Sequence, residues 1–162
     1  MLTDETAGMI TEKNRNLIEQ SGVIPYRIRD GRLEIALVTA SSGPHWTIPK
    51  GHVEEDLTPH DSAAKEAYEE SGLVGHVQRR AVGCYVYEKR GRLRQVDVFP
   101  LHVHRELKRW PEMLVRKRQW MSADEAASRV RNAELRCCIQ EFKKTVKRTL
   151  RRRENVRTAI AA

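Results

Sequence analysis

Three glutamates in the middle of the chain have a spacing that could hold a metal ion. When residues 59–71 are drawn as an α-helix, Glu66, Glu69 and Glu70 fall within an arc of about 100°. Oxygen-only ligands suit a hard divalent ion such as Mg²⁺, which keeps several waters and often shares substrate phosphates. Such an ion activates water against a P–O–P bond, while a further carboxylate accepts the proton. This chemistry would be that of a metal-dependent phosphoanhydride hydrolase, but for the glutamate spacing taken alone a solvated acidic surface is the commoner interpretation.

The helix that carries these acids has clear start and stop signals. Thr58 stands at the N-cap, Pro59 at the first helical position and Asp61 three residues after the cap. Gly72 follows the last turn, where a glycine commonly ends a helix. The sequence therefore predicts a helix from Pro59 to Ser71.

Apolar, β-branched runs on both sides of this helix predict a sheet. Asp30-Gly31 between two such runs is a strong hairpin signal, and Lys89-Arg90-Gly91 separates a second pair. Pro100 lies in the second pair and implies an edge position or a bulge, because proline cannot donate to a sheet ladder. The predicted strands are Val23–Ile28, Leu33–Thr39, a short extended piece Trp46–Pro49, Val77–Tyr87, Leu93–Val103 and Val115–Met121.

The C-terminal part of the chain is predicted to be helical. Ser122 and Glu125 form a capping box that opens a short helix, and apolar residues at helical spacing mark a longer one. These apolar residues are Leu135, Cys138, Ile139, Phe142 and Val146. Strands and helices alternate around one sheet, so we predict an α/β domain over residues 21–150. Residues 1–20 are predicted to be a tail or loose helix, and residues 151–162 a basic C-terminal tail.

Composition restricts the class of partner. The 162-residue chain has a net charge of +8, which favours phosphorylated small molecules, nucleic acid or an acidic surface. No stretch approaches the ~20 apolar residues that span a bilayer, and no secretory leader is recognisable, so we expect a soluble protein without membrane association. The odd set of Cys84, Cys137 and Cys138 is predicted to consist of reduced core residues in a cytoplasmic protein.

One 23-residue segment resembles a known family signature. It begins Gly51-His-Val-Glu-Glu-Asp-Leu57 and, after seven residues, continues Lys65-Glu-Ala-Tyr-Glu-Glu-Ser-Gly-Leu73. This is similar to the Nudix box of the Nudix hydrolases: Gly, five residues, Glu, seven residues, Arg-Glu, an aliphatic residue, any residue, Glu-Glu, any residue, Gly and an aliphatic residue. The resemblance extends from about Gly22 to about Lys147 and implies an α/β/α sandwich with a mixed central sheet.

The same resemblance implies roles for individual residues. Glu66 and Glu70 are expected to bind the metal together with the carbonyl of Gly51. Glu69 is expected to act catalytically as the acceptor of a proton from the attacking water. The expected ion is Mg²⁺, with Mn²⁺ as an alternative.

Three positions depart from the family pattern. Leu57 replaces the first Glu, Lys65 replaces Arg, and Gln119 stands where some members have a further Glu before the aromatic residue of the last strand. Lys65 keeps a cation but lacks the planar fork of arginine. Glu54 and Glu55 could compensate in part for Leu57. These departures leave open a binding module that has kept the fold and lost catalysis.

Within the family the chain looks most similar to the diphosphoinositol polyphosphate and diadenosine polyphosphate hydrolases. Basic turns that converge on one mouth would suit a substrate with many phosphates, because charge-assisted contacts to phosphate are strong. The expected substrate contacts are Arg27, Ser41, Ser42, Lys50, Lys89, Arg90 and Lys117. Trp46 could stack on a base or pack in the core. An enzyme that removes pyrophosphate from RNA 5′ ends is an open alternative.

Two further features admit more than one reading. His102 and His104 alternate on one strand face and could form a metal pair, although no third ligand stands near them in the sequence. The basic end from Lys147 to Arg153 could contact nucleic acid or anionic lipid, or be a solvated helix end.

Overall fold

The computed structural model describes residues 17–162, which form an eight-stranded sheet with helices on both faces. The strands are β1 (Ile18–Arg29), β2 (Arg32–Thr39), β3 (Trp46–Thr47), β4 (Lys50–His52), β5 (Leu73–Val77), β6 (Gly83–Lys89), β7 (Arg92–Glu106) and β8 (Arg118–Ser122). The helices of the described residues are α1 (Pro59–Ser71), α2 (Ala123–Arg129) and α3 (Ala133–Ala161).

The sheet contains both parallel and antiparallel pairs. Its main order is β3-β2-β1-β7-β5, with β4 beside β1, β6 beside β7 and β8 beside β2. Strands β1 and β7 run parallel, whereas β1 is antiparallel to β2 and to β4, and β7 is antiparallel to β5 and to β6. The mixed central sheet implied by the resemblance is confirmed.

Two tight turns join neighbouring strands. Asp30 and Gly31 have φ values of 50° and 73°, and Arg90 and Gly91 have values of 53° and 72°. Positive φ at both central residues defines a type I′ turn, whose twist matches that of the flanking strands. The predicted Asp30-Gly31 hairpin is therefore confirmed, and the second turn joins β6 to β7.

Alternate residues of the central strands enter two separate cores. Ile24, Ile35 and Leu37 pack with α2 and α3, whereas Val23 and Ala36 pack beneath α1. Successive residues of a strand point to opposite faces, so the sheet is covered on both sides. The predicted apolar stripe of α3 packs on the first core through Leu135, Cys138, Ile139, Phe142 and Val146. The α/β/α sandwich is confirmed.

The predicted strand from Val77 to Tyr87 is wrong. It is divided between the end of β5 and most of β6, and residues 78–82 connect the two. The polar stretch Gln78-Arg79-Arg80 interrupts the apolar pattern at this point. The last strand also begins later than predicted, at Arg118, because residues 111–115 form turns.

Pro100 lies neither at an edge nor at a bulge, so that prediction is also wrong. Strand β7 is inside the sheet, where Pro100 is the partner of Ile24 in β1. On the other side of β7, pairing with β6 ends at Val98 and pairing with β5 starts at Leu101. The Pro100 carbonyl accepts from Gln78 N on that side. The N and O of one strand residue point the same way, so the missing N–H falls in the gap between two partner strands and costs no ladder hydrogen bond.

Both predicted domain limits fall inside regular elements. The limit at residue 21 lies within β1, which begins at Ile18, and residues 1–16 of the predicted tail are outside the described part. The predicted basic tail from residue 151 is instead exposed helix that continues α3 to Ala161.

The cysteines are not uniformly buried. Cys138 is buried, but Cys84 and Cys137 are exposed, so the prediction of three core residues is wrong for two of them. All three are free thiols. Among the helices of residues 17–162, none is both long and apolar enough to cross a bilayer.

Candidate active site

The helix α1 begins and ends as predicted. The Thr58 side chain accepts a hydrogen bond from Asp61 N at 3.2 Å, and Pro59 occupies the first turn. At the other end Gly72 has φ 65°, and its N–H donates to Tyr68 O at 3.0 Å. These caps fix the helix at both ends and thereby fix the face that carries the three glutamates.

Gly51 lies directly against Glu66. Strand β4 pairs with the start of β1 through Ser21 and Gly51, which brings the loop backbone to the helix face. A β-carbon at Gly51 would overlap the carboxylate of Glu66. Only glycine allows this approach, so a backbone carbonyl and a carboxylate can serve one ion here. The predicted pair is brought together.

Glu70 is the most buried of the three acids. Its Oε2 accepts from Lys50 N at 3.2 Å, and its Oε1 is 2.7 Å from Arg116 Nη2. The side chains of Arg116 and Glu70 are only 9% and 6% exposed. Burial raises the pKa of Glu70, and the positive charges of Arg116 and Lys50 oppose that rise. This carboxylate is held from two sides by the protein.

Glu69 is more accessible than Glu70, whose side chain is only 6% exposed. The Glu69 side chain is 35% exposed and lies 3.6 Å from Lys65 Nζ. Lys65 also pairs with Glu54. Glu54 is the loop glutamate that could compensate for the acid missing at Leu57, and it is thus engaged by a cation. Glu69 can therefore meet water while it stays beside the other two acids.

Glu66 is half-buried among negative charges. Burial raises the pKa of its carboxyl group, and Glu69 and Glu112 raise it further. Within residues 17–162, no three Asp, Glu, His or Cys side chains converge closely enough to hold an ion by themselves. Glu66 and the Gly51 carbonyl offer hard oxygen ligands, and the single cation Lys65 faces Glu69, Glu112 and Glu54 around Glu66. This pair fits a divalent cation.

A cavity of about 410 Å³ is linked to the acidic face through Lys50, which lines it and whose backbone N–H donates to Glu70. Four of the predicted substrate contacts, Ser41, Ser42, Lys50 and Lys89, line it, and Lys89 Nζ lies 3.4 Å from Ser41 Oγ. Its aromatic and other lining residues include His45, Trp46, Tyr85, Tyr87, Arg131 and Asn132. Burial lowers the pKa of Lys50, whose Nζ lies 5.1 Å from the Tyr87 ring centroid. The cavity combines cations with aromatic faces.

Three predicted contacts do not line this cavity. Arg27 Nε donates to Glu34 Oε2 at 2.7 Å, and its guanidinium lies 4.0 Å from the Trp120 ring centroid. Arg90 sits at the tip of the β6–β7 turn. Lys117 is exposed. It donates a hydrogen bond to Thr39 Oγ1 through its backbone N–H. Sequence order alone does not show on which side of the sheet these cations project.

The predicted histidine pair stacks with neighbouring rings. The rings of His102 and His104 are 5.0 Å apart in an edge-on arrangement, and Tyr26 stacks on His102 at 5.1 Å. Together with the absence of a third ligand among the described residues, this geometry favours aromatic packing over metal binding.

Arg116 and Glu112 were not predicted as site residues. Arg116 contacts both Glu70 and Glu112, and its Nη1 donates to Thr39 O at 2.9 Å. The basic run from Arg116 to Arg118 is visible in the sequence, although the expected substrate contacts include only Lys117 of the three. Alternation within the predicted strand Val115–Met121 would separate them, since the exposed Lys117 stands between two arginines whose side chains are only 9% and 11% exposed.

The fold is a mixed sheet between helices, and its glutamate-rich helix α1 follows Gly51 of β4 along the chain. The family model of the NUDIX domain matches residues 19–142. The chain therefore belongs to the Nudix hydrolase family.

Individual relatives agree with this assignment. Nudix hydrolase 18, mitochondrial, of Arabidopsis thaliana is 31% identical over 139 residues, 81% of this chain and 79% of the relative. Diphosphoinositol polyphosphate phosphohydrolase 2 of Rattus norvegicus is 34% identical over 96 residues, 57% of this chain and 52% of the relative. A binary complex of the C. elegans Ap4A hydrolase has a TM-score of 0.68 at 23% identity, and the match covers 80% of this chain and 98% of that chain. This last likeness concerns the fold alone.

Proposed function

We propose that the protein is a divalent-metal-dependent hydrolase that cuts a phosphoanhydride bond in a substrate with a nucleobase, either a nucleoside-diphosphate-linked molecule or a dinucleoside polyphosphate. The observation that carries this proposal is that Lys50 contacts both Glu70 and the cavity. Its backbone N–H holds Glu70, while the same residue lines the cavity beside Tyr87. A ligand in the cavity would thus have its phosphates at the acidic face.

We assign the metal to Glu66, Glu70 and the Gly51 carbonyl. When bound, the ion would supply charge neutralisation for phosphate oxygens and a water of lowered pKa. Mg²⁺ suits this set, since it usually binds through one or two carboxylates with waters and substrate phosphates, and Mn²⁺ is the alternative ion. The chain's own contribution is to hold the Glu70 carboxylate in place from two sides and to keep Glu66 against the backbone.

We assign Glu69 as the acceptor of the proton from the attacking water. Glu70 has both carboxylate oxygens engaged by Lys50 N and Arg116, whereas Glu69 is partly exposed and 3.6 Å from Lys65. A base must reach the water that it deprotonates, so the accessible carboxylate is the better candidate.

The cavity lining supports a nucleotide over an inositol polyphosphate. Trp46 and Tyr87 offer aromatic faces on which a base can stack, and Lys50, Lys89 and Arg131 offer charges for phosphates. An inositol ring substituted with phosphates has no aromatic face and would bring more negative charge than these cations balance. The rat relative nevertheless keeps diphosphoinositol polyphosphate among the candidates.

RNA with a 5′ triphosphate is the second candidate, favoured by the exposed basic end of α3. Lys147, Arg148, Arg151 and Arg152 are exposed there. Salt would separate the two, because RNA binding through many phosphates weakens steeply with ionic strength whereas a compact substrate shows a shallower slope.

The test is a panel of substrates with Mg²⁺ or Mn²⁺, with products identified by mass spectrometry. The panel contains diadenosine tetraphosphate, ADP-ribose, a diphosphoinositol polyphosphate and triphosphorylated RNA. We expect cleavage of the first two, none after removal of the metal, and none in Glu70→Gln. Ligand-induced stabilisation without any product would indicate the alternative binding module and overturn the proposal.

A pair of aromatic variants tests the nucleobase. Tyr87→Leu should raise the KM for a nucleotide substrate about tenfold, since stacking on an aromatic ring contributes roughly 1–3 kcal/mol per base. Tyr68→Leu removes an exposed aromatic side chain that is not among the cavity-lining residues and should leave KM unchanged. Equal effects of the two substitutions would contradict the proposed base site.

We also propose a reducing cytoplasmic setting, supported by the free thiols of Cys84, Cys137 and Cys138. Imaging of a fluorescent fusion of the full chain tests it, and a signal confined to an organelle would contradict it.

A further inference from the structure

The segment between β7 and β8 is fastened to the C-terminal end of α1. The last carbonyls of a helix lack partners within the helix and must be satisfied from outside. Here they accept from this segment and from β8: Leu107 N to Gly72 O at 2.9 Å, Trp110 Nε1 to Glu70 O at 3.1 Å, Glu112 N to Glu69 O at 3.0 Å, and the Arg118 guanidinium to Ser71 O. The segment therefore has a fixed position relative to the three glutamates.

Packing at Gly72 strengthens this attachment. Gly72 has φ 65°, and a β-carbon on it would lie 2.8 Å from Trp110 Cβ. The Arg118 guanidinium lies 4.3 Å from the Trp110 ring centroid on its way to the helix end. The indole is thus held between the helix terminus and an arginine, and the backbone of Glu112, two residues later, is fixed by its hydrogen bond to Glu69 O.

Arg116 joins Glu112 to the metal site. Its Nη2 lies 2.7 Å from Glu70 Oε1, its Nε pairs with Glu112 Oε2, and its Nη1 donates to Thr39 O at 2.9 Å. The planar guanidinium presents its donors in a fixed fork, so three acceptors set its orientation. Lys65, at the box position where the family has arginine, pairs instead with Glu54 and Glu69.

We propose that Arg116 and Glu112 are positioning residues that aim the Glu70 carboxylate at the metal. The backbone of Glu112 is placed by its hydrogen bond to the last turn of α1, the Glu112 carboxylate fixes Arg116, and Arg116 fixes Glu70. The Nudix box lacks an arginine at Lys65, and Arg116, in the segment before β8, supplies the planar guanidinium instead. This inference rests on the proposed function, since it concerns the site assigned to Glu66 and Glu70.

The probe is Mn²⁺ with a methylene-bridged diphosphate, which cannot be hydrolysed, and affinity is measured by calorimetry on folded full-length protein. Glu112→Gln keeps the size of the side chain and removes its charge, and Arg116→Lys keeps the charge and removes the fork. Both should weaken Mn²⁺ binding about tenfold to a hundredfold, as is typical for loss of groups that orient a metal ligand. Saturating Mn²⁺ should restore turnover in both variants, which a merely structural defect would not allow.

The matched control is the pair Glu125 and Arg129 on α2, which has the same four-residue spacing and side chains that are 43% and 38% exposed. Glu125→Gln and Arg129→Lys should leave Mn²⁺ affinity unchanged. If Arg116→Lys does not fold, Glu112→Gln alone decides the outcome.

The failures can be told apart. Wild-type Mn²⁺ affinity in Glu112→Gln, with binding lost in Glu70→Gln, would overturn the positioning role and leave the proposed function intact. Equal affinity in the wild type and Glu70→Gln, or no binding in either, would overturn both.

Discussion

Gly51 lies so close to the Glu66 carboxylate that no side chain would fit between them. The backbone of β4 touches the Glu66 carboxylate so closely that a β-carbon on Gly51 would overlap it. This contact follows from the pairing of β4 with the start of β1.

The first prediction concerns Gly51→Ala. The new methyl group must displace Glu66, and a misplacement of about 1 Å in an active site can cost roughly a hundredfold in rate. We expect kcat to fall by about that factor while the protein stays folded by circular dichroism. Gly43→Ala is the control, because its β-carbon would lie 3.6 Å from His45 Nδ1 in ordinary contact. Full activity in Gly51→Ala would show that Glu66 does not act from its present position.

The second prediction concerns the stability contributed by the buried ion pair. Arg116→Met leaves Glu70 buried without its cation, and loss of one partner of such a pair typically costs about 3–5 kcal/mol. We expect a decrease of this size in the free energy of unfolding, measured by urea denaturation at pH 7. Arg129→Met, which breaks an exposed pair, should cost less than about 1 kcal/mol. Equal losses in the two variants would mean that Arg116 is not structurally coupled to Glu70.

The third prediction separates two cations that the sequence did not distinguish. Lys89 lines the cavity, so Lys89→Met should raise KM about tenfold through loss of a charged contact to phosphate. Arg27 is engaged by Glu34 and Trp120, so Arg27→Met should leave KM unchanged and cost ~1 kcal/mol of stability. Steady-state kinetics and urea denaturation of both variants check this, and a raised KM in Arg27→Met would place that residue at the substrate.

The fourth prediction uses the difference between neighbouring thiols. Burial raises the pKa of Cys138 to about 11, whereas Cys84 and Cys137 are exposed. Because the thiolate is the reactive form, iodoacetamide at pH 8 should label the two exposed cysteines and spare Cys138. Peptide mass spectrometry reads the result, and labelling of Cys138 should rise only as the pH approaches its pKa or after unfolding. Rapid labelling of Cys138 at pH 8 would contradict the packing of α3 on β6.

The parts of the fold that were predicted correctly have local causes. The caps of α1 at Thr58 and Gly72 lie within a few residues of the helix that they end. The Asp30-Gly31 turn and the apolar stripe of α3 are likewise readable from short windows. The place of Pro100 inside the sheet has no local signal, because it depends on two partner strands, β5 and β6, that meet at that point.

The site residues also divide into those whose arrangement follows from local spacing and those whose arrangement depends on the tertiary fold. The glutamates of α1 share one helix, so their common face follows from spacing alone. Arg116 lies 46 residues from Glu70, and its role depends on how the segment before β8 folds back over the end of α1. The separation of Lys89 from Arg27 depends on which side of the sheet each side chain takes, which a one-residue change of register would reverse.

The central claim is that Glu66, Glu70 and the Gly51 carbonyl hold a divalent ion beside the cavity. Its most direct test is anomalous diffraction from crystals grown with Mn²⁺ and a methylene-bridged diphosphate. We predict a manganese peak in contact with those three groups and with the diphosphate, whose other end enters the cavity near Lys89. A peak elsewhere, or a diphosphate bound in the cavity with no manganese at α1, would contradict the account.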